Sequence, residues 1–287
     1  MNSVGVIGLG LMGGALAGRF RAGGLRVTGY DLRDECRERL AAAGGSVAPS
    51  VRAVFESSRL IVLSLPDSAA VAAVLAEAGD ALAGATVVDT TTGDPDATAA
   101  TGERLAAAGA EYIDATLTGS SREAAAGEVV VTVGGLVEAF RACEPLFRLF
   151  ARRWFHVGPW GSGARVKLAV NLVLGLNRAA LAEGLGFARR CGLDPAAVLE
   201  VFRSGAAYSR VMDTKGRKMV EGDFAPEARL AQHLKDVRLI LAQGERVGAN
   251  LPISAVHEGL LARLVRDGFG ECDNSSVVRA FDPAGEP

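Results

Sequence analysis

Lysine is scarce in this chain of 287 residues: only four lysines occur, although lysine and arginine together number 31. They are Lys167, Lys215, Lys218 and Lys235. The two cations differ chemically, because the surroundings of a lysine amine can make it lose its proton near neutral pH, whereas a guanidinium stays charged. A lysine retained in such an arginine-rich chain is therefore a candidate for acid–base chemistry.

Cysteine and histidine are also few and scattered. The four cysteines form no C-x-x-C pair and no metal-ligand spacing, and the three histidines form no cluster. We therefore expect no metal site and free thiols in a reducing compartment. The formal charge of −2 provides no basic field, which disfavours nucleic acid or an anionic membrane as a partner.

Neither a secretory signal nor an uninterrupted membrane-spanning run is evident. No basic segment precedes the strand that is predicted from Val4. Apolar runs such as Leu60–Leu65 are much shorter than the ~20 residues that a bilayer requires. The longer stretch from Val166 to Ala182 is interrupted by polar residues, including Arg178. A cytoplasmic location is the simplest expectation.

The two halves of the chain differ in their hydrophobic periodicity. Before residue 164, short apolar runs alternate with amphipathic stretches, which indicates βα units and a mainly parallel sheet. From Ala164 onward, apolar residues recur at about every 3.6 positions, which predicts helices. The fold class is therefore α/β, with a Rossmann-type dinucleotide-binding domain over residues 1–163 and an all-α domain over residues 164–287. The tail Asp282–Pro287 is expected to be loose.

These patterns also predict individual elements. The predicted strands are Val4–Gly8, Arg26–Tyr30, Leu60–Leu65, Thr86–Asp89, Tyr112–Asp114, Glu128–Gly134 and Trp154–Val157. The predicted helices include Leu11–Ala22, Ser68–Glu77, Ala164–Arg190, Pro195–Arg203, Glu227–Val247 and Ser254–Arg266.

A glycine-rich turn follows the first predicted strand and opens a helix. It reads Gly8-Leu9-Gly10-Leu11-Met12-Gly13. In such a turn the first glycine permits a sharp bend, the second lets a pyrophosphate approach the backbone, and the third allows close helix–strand packing. The free amides of the helix start then bind the phosphates. An ordinary strand–turn–helix without a ligand is the alternative.

Asp31 ends the second predicted strand, near the position where a carboxylate accepts hydrogen bonds from ribose hydroxyls. An acid there favours NAD over NADP, which carries a 2′-phosphate. Arg33 would instead suit that phosphate, so NADP remains open.

Lys167 and Asn171 lie four residues apart in a predicted helix, so both side chains project from one face. The lysine offers an amine, and the asparagine offers an amide that fixes a substrate hydroxyl or the lysine itself. Glycines precede the pair at the expected domain junction, and such junctions are common ligand clefts. A solvated lysine near a helix start is the alternative.

Two further segments carry weaker signals. Thr118-Gly119-Ser120 follows a strand, and its hydroxyls and amides suit a carboxylate, although turn chemistry alone explains such a stretch equally well. Lys235 and Asp236 are adjacent in a predicted helix, where spacing alone favours a surface ion pair.

Together these motifs resemble the β-hydroxyacid dehydrogenase family, whose members include 3-hydroxyisobutyrate dehydrogenase, over roughly residues 4–270. The run from Val6 to Gly13 is similar to its cofactor signature. Leu65-Pro66-Asp67 and Asp89-Thr90-Thr91-Thr92 resemble its two loops beside the nicotinamide. The resemblance implies that Leu65, Pro66, Thr92 and Lys235 contact the cofactor. It also implies that Lys167 is the catalytic lysine.

The substrate loop departs from the family pattern. The usual Asp-Ala-Pro-Val-Ser-Gly-Gly is here Asp114-Ala115-Thr116-Leu117-Thr118-Gly119-Ser120. Thr118 retains a hydroxyl, so we expect a small carboxylate still to bind at Thr118, Gly119 and Ser120. The loss of the proline and the second glycine leaves the identity of the acid open.

The resemblance implies reversible hydride transfer between NAD, or NADP, and a small β-hydroxy acid or its semialdehyde. Lys167 would be the general acid/base, with Asn171 beside it. The apolar, glycine-bearing helix after residue 164 suggests a homodimer or homotetramer. The alternatives are an NADPH-dependent aldehyde or imine reductase of the same fold and a non-catalytic dinucleotide-binding sensor. Retention of Lys167 argues against imine reduction and against the sensor.

Overall fold

The computed structural model describes residues 2–281, and the chain divides into two compact units, Met1–Lys167 and Leu168–Pro287. This division lies just after the boundary expected from the change in periodicity. The predicted tail Asp282–Pro287 lies outside the described residues.

The first unit contains one eight-stranded sheet. Its strand order is β3-β2-β1-β4-β5-β6-β7-β8, and every neighbouring pair is parallel except the antiparallel pair β6–β7. The strands are β1 Ser3–Ile7, β2 Arg26–Tyr30, β3 Ser46–Val47, β4 Leu60–Leu63, β5 Thr86–Asp89, β6 Glu111–Thr118, β7 Val129–Gly135 and β8 Ala151–Gly158. Among the described residues of this unit, seven α-helices connect the strands, and a short 3-10 helix, Gly79–Leu82, follows the fourth of them. The α-helices are α1 Leu11–Ala22, α2 Asp34–Ala42, α3 Val51–Ser57, α4 Ser68–Ala78, α5 Pro95–Ala107, α6 Ser121–Ala126 and α7 Val137–Phe147.

Alternate residues of the central strands enter two separate hydrophobic clusters. In β1, Val6 belongs to one cluster and Ile7 to the other, and Val62 and Leu63 of β4 divide in the same way. Because successive side chains of a strand point to opposite faces, the two clusters cover the two faces of the sheet. Both faces are buried by helices, which explains why the strands read as continuous apolar runs.

The strand order reverses between β1 and β4, which pair side by side. Ligands of such open parallel sheets bind beyond the carboxyl ends of the strands at this reversal. The predicted Rossmann-type architecture is thus confirmed, and it places the glycine-rich turn after β1 at the expected ligand-binding edge.

Strand β6 is longer than predicted, because pairing continues past Asp114 to Thr118. Antiparallel β7 provides that pairing, with Thr118 opposite Val130. The sequence predicts the strand Glu128–Gly134 but not its antiparallel pairing with β6, which extends β6.

Among its described residues, the second unit contains helices, the loops between them and one isolated bridge between Arg229 and Asp273. Its helices follow α8, Ser162–Arg190, which begins in the first unit. They are α9 Pro195–Ser204, α10 Arg217–Glu221, α11 Leu230–Val247 and α12 Pro252–Leu264, with π-helical turns at Met212–Gly216 and Val265–Phe269 and a 3-10 helix at Asn274–Ala280. This unit has its own hydrophobic core, which includes Leu181, Leu234 and Leu261. The predicted all-α C-terminal domain is confirmed.

By length and composition alone, α8 is apolar enough to cross a membrane, with a mean hydropathy of 1.3 over its most apolar window. Long core helices of soluble proteins meet the same criterion.

A buried ion pair organises the second unit. The carboxylate of Asp273 is fully buried and accepts hydrogen bonds from Lys215 Nζ at 2.9 and 3.0 Å. It also accepts from the amides of Glu227, Ala228 and Ser275. Burial opposes its ionisation, but the lysine and the amides outweigh burial and hold the pKa of Asp273 below its ordinary value. Because the amides of Glu227 and Ala228 bind Asp273, helix α11 begins at Leu230 and not at the predicted Glu227.

We expect Asp273→Ala to reduce the free energy of unfolding by about 3–5 kcal/mol, because it leaves the Lys215 ammonium buried without its main partner. Urea denaturation followed by circular dichroism measures this loss. Asp223→Ala is the matched control, since the carboxylate of Asp223 that pairs with Lys218 is exposed and solvent screens its charge. Equal losses in the two variants would contradict the assigned role of the buried pair.

Candidate active site

The glycine-rich turn is shaped by close backbone approaches. Gly8 has a φ of +88°, which side-chain-bearing residues rarely adopt. A Cβ atom on Gly13 would overlap the carbonyl oxygen of Gly8, so α1 packs against the end of β1 only because both positions are glycine. Gly10 forms the N-cap of α1 without any side-chain hydrogen bond. The first amides of α1 are therefore available to a ligand, as an anion requires.

Asp31 lies immediately beyond β2 and binds the same turn. One carboxylate oxygen accepts from the Leu9 amide at 2.7 Å, and the other accepts from the Arg33 amide at 2.9 Å. Burial raises the pKa of Asp31, but these two amides and the Arg33 side chain outweigh it and lower the pKa below the ordinary value. Asp31 is thus an ionised anchor of the glycine turn.

The half-exposed guanidinium of Arg33 borders the turn as well. Its Nε lies 3.3 Å from Asp31 Oδ1, and its Nη2 lies 3.2 Å from the place a Cβ would take on Gly10. A dinucleotide suits these groups. The glycine backbone and the open helix amides suit its charged pyrophosphate, and the carboxylate and the guanidinium lie where its ribose would bind. The residues from Gly8 to Gly13 with Asp31 therefore fit NAD(P).

The loops after β4 and β5 reach the same edge of the sheet. Leu65 Cδ2 lies 3.1 Å from the Cβ position of Gly8, and the Leu65 amide donates to Thr91 Oγ1 at 3.2 Å. Two residues with implied cofactor contacts lie beside them: Pro66 is exposed and Thr92 is partly buried. The first expected nicotinamide loop thus contacts the glycine turn, and the second is hydrogen-bonded to the first.

Two buried carboxylates without a predicted role of their own lie side by side at this level of the sheet. Asp89 ends β5 and pairs in register with Asp114 of β6. Asp89 accepts from the Tyr112 hydroxyl at 2.9 Å and from the Thr91 amide at 2.9 Å. Burial raises the pKa of Asp89 despite these bonds. An acid inside an apolar strand was the available signal for Asp114.

Asp114 contacts the start of α8. Its Oδ1 accepts from the Gly161 amide at 3.0 Å and its Oδ2 from the Ala164 amide at 2.9 Å. Burial raises the pKa of Asp114 to about 6, although the two amides act in the opposite direction. Lys167 follows Ala164 by one helical turn, is partly buried and ends the first unit.

Hydrogen bonds between Ser120 and Glu123 stabilise the predicted substrate loop. Ser120 caps α6: its hydroxyl accepts from the Glu123 amide, and its amide donates to Glu123 Oε2 at 2.8 Å. These bonds engage the hydroxyl and the amide of Ser120 within the loop. Thr118, which is the last residue of β6, and Gly119, whose φ is +142°, are the other two predicted contacts.

In the second unit, Asp236 joins two predicted residues. Its Oδ2 accepts from Asn171 Nδ2 at 2.9 Å, and its Oδ1 lies 2.8 Å from Lys235 Nζ. Asp236 is mostly buried. The Lys235–Asp236 pair is therefore not an isolated surface ion pair, because the same carboxylate also accepts a hydrogen bond from Asn171.

Within residues 2–281, no group of three or more histidine, cysteine or acidic side chains is arranged to hold a metal ion. The four cysteines are free thiols.

Comparison with known proteins agrees with this geometry. Residues 3–158 match the family described as the NAD binding domain of 6-phosphogluconate dehydrogenase. Residues 161–281 match the family described as NAD-binding of NADP-dependent 3-hydroxyisobutyrate dehydrogenase. The chain belongs to the β-hydroxyacid dehydrogenase family. This chain is an NAD(P)-dependent oxidoreductase of hydroxy acids.

Three relatives of this dehydrogenase family show the extent of the similarity. The chain is 31% identical to 2-hydroxy-3-oxopropionate reductase of Escherichia coli, covering 97% of each chain. It is 30% identical to 2-(hydroxymethyl)glutarate dehydrogenase of Eubacterium barkeri, covering 97% of this chain and 94% of that one. The crystal structure of 3-hydroxyisobutyrate dehydrogenase from Salmonella typhimurium superimposes with a TM-score of 0.88 at 27% identity, covering 97% and 99% of the two chains.

We expect Gly13→Ala to abolish most NAD(P) binding, because the new Cβ displaces α1 from the end of β1. Isothermal titration with NAD and NADP measures the loss. Gly18→Ala is the control in the same helix: a Cβ at Gly18 meets nothing within 4 Å. It should leave binding intact and stabilise the helix by up to about 1 kcal/mol. Normal binding by Gly13→Ala would refute the close-packing argument.

Proposed function

We propose that this chain catalyses reversible hydride transfer between NAD and a small β-hydroxy acid or its semialdehyde, with Lys167 as the general acid/base. The observation that carries the proposal is that Asp114 binds the amides at the start of α8. Asp114 lies in register with Asp89, the last residue of β5. The Lys167-bearing turn therefore begins beside the strand whose loop, through Thr92, is implied to contact the cofactor.

Lys167 is proposed to transfer the proton in both directions of the reaction. In the direction of oxidation, the neutral amine of Lys167 takes the hydroxyl proton while the carbon–hydrogen bond breaks and the carbonyl forms. In the direction of reduction, the ammonium of Lys167 returns a proton to the carbonyl oxygen. Bound NAD(P) supplies the hydride acceptor and donor. Proton transfer by a positioned group of this kind typically contributes about 10²–10⁴-fold in rate.

The substrate carboxylate is proposed to bind at Thr118 and Gly119. Because Ser120 uses both its hydroxyl and its amide within the α6 cap, its contribution is to hold the shape of the loop. Asn171 is proposed to orient the substrate hydroxyl, and its bond to Asp236 supports that role by restricting the amide to one orientation.

NAD is the proposed physiological cofactor. Asp31 is ionised and lies beside the glycine turn, and its charge would repel the 2′-phosphate of NADP. Lys235, Leu65, Pro66 and Thr92 complete the proposed set of cofactor contacts. Arg33 lies nearby and favours NADP, so the proposed preference depends on the balance between Asp31 and Arg33.

A cytoplasmic homo-oligomer is part of the same proposal. The free thiols support a reducing compartment. Two large apolar side chains of α8, Val173 and Phe187, are exposed, which supports contact with a second copy.

Lys167→Arg should lower kcat by about 10²–10⁴-fold, because the guanidinium stays charged and cannot exchange the proton. The assay follows reduced-nicotinamide absorbance with 3-hydroxyisobutyrate, 2-(hydroxymethyl)glutarate and 2-hydroxy-3-oxopropionate as the panel. NAD binding should change little in the same variant. Lys218→Arg is the matched control and should keep full turnover. An active Lys167→Arg enzyme would reject the lysine as acid/base, and NAD binding by the wild type without turnover on any substrate would favour a sensor.

Asp31→Ala should weaken NAD binding more than NADP binding, because it removes the carboxylate from the ribose side of the turn. Arg33→Ala tests the opposing group and should weaken NADP selectively. Fluorescence titration of each variant with both cofactors gives the four dissociation constants. Selective loss of NADP in Asp31→Ala would reverse the proposed preference.

A further inference from the structure

Strand β6 holds the first turn of α8 by three side-chain hydrogen bonds. Asp114 accepts from the amides of Gly161 and Ala164, as described above. Thr116 Oγ1 donates to the carbonyl oxygen of Gly163 at 3.0 Å. Both side chains are almost completely buried. Side chains of one strand therefore bind two backbone amides and one backbone carbonyl at the start of the helix.

The helix has no acidic residue in its own first turn. Free amides at a helix start are stabilised by a nearby negative charge. Here that charge comes from Asp114 on another element, and with a pKa of about 6 the carboxylate is mostly ionised at neutral pH. The contact replaces the local cap that most helices carry in their own sequence.

The surrounding packing leaves space for this carboxylate and little else. A Cβ on Gly134 would lie 2.5 Å from Asp114 Oδ1, and a Cβ on Gly163 would lie 2.7 Å from Asp114 Oδ2. Side chains at these two glycines would push the helix start away from the strand. The approach of α8 to β6 is thus as close as the backbone allows.

The same strand leads into the substrate loop. Two residues after Thr116, β6 ends at Thr118, the proposed carboxylate contact. One turn after Ala164, α8 reaches Lys167. One strand therefore carries the loop and binds the helix turn that leads to the lysine.

We propose that Asp114 and Thr116 are positioning residues, which set the distance between the Lys167 amine and the substrate bound at Thr118–Gly119. This inference rests on the proposed function of Lys167. Its physical basis is that a displacement of a catalytic group by about 1 Å can cost about 10²-fold in rate.

The sharpest test uses Thr116, because two substitutions there separate the hydroxyl from side-chain volume. Thr116→Val removes the donor to Gly163, together with the 2.8 Å contact to Thr132 Oγ1, at nearly constant shape, and Thr116→Ser retains both. We expect Thr116→Val to lower kcat by about 10- to 100-fold while the dissociation constant of NAD changes by less than about twofold. Thr116→Ser should recover most of the turnover. The substrate is the panel compound with the highest kcat/KM in the wild type.

Asp114→Asn provides the second arm. It keeps the shape of the side chain but presents an amide donor to one of the two helix amides, so it should also lower kcat and preserve NAD binding. The melting temperature is measured for all variants. If Asp114→Asn does not fold, the two Thr116 variants decide.

The inference is overturned if Thr116→Val lowers the melting temperature but keeps the wild-type kcat, since the contact would then be structural only. It is also overturned if Thr116→Ser is as slow as Thr116→Val. Lys167→Arg distinguishes this failure from that of the proposed function. An inactive Lys167→Arg with a fully active Thr116→Val rejects the positioning role alone, whereas an active Lys167→Arg rejects the proposed acid/base itself.

Discussion

The carboxylate of Asp114 is the contact on which the proposed chemistry of this enzyme most depends. It is buried in a sheet, and it is stable there because two backbone amides of the α8 start donate to it. A buried polar group without such partners would cost several kcal/mol. The sheet and the helix with Lys167 therefore stabilise each other.

The second unit uses buried carboxylates in a similar way. Asp273 joins a π-helical turn, through Lys215, to the segment before α11. Asp236 joins Asn171 to Lys235. In each unit the apolar clusters supply most of the stabilisation, because hydrophobic burial is non-directional, while the buried carboxylates select one arrangement of the helices.

Several parts of the site were predictable because their signals are local. The run Gly8–Gly13 has a fixed spacing, and a strand and a helix flank it. Its fold context is confirmed. The sequence position of Asp31 was also informative, although its carboxylate proves to bind the amides of Leu9 and Arg33 as well. Ser120 shows the limit: the run Ser120 to Glu123 forms a capping box that was not predicted from the sequence, while the substrate contact of Ser120 stays a prediction.

The amino-acid sequence by itself determined the two-part architecture, the cofactor class and the family, because periodicity and glycine spacing are properties of neighbouring residues. Only the tertiary structure decided the partners of Asp114, Thr116 and Asp236. The hydrogen bonds that join them to Gly161, Gly163, Ala164 and Asn171 span 47 to 65 positions of the chain. Such pairs form only after the strands and helices have packed, so no local pattern around these residues encodes them.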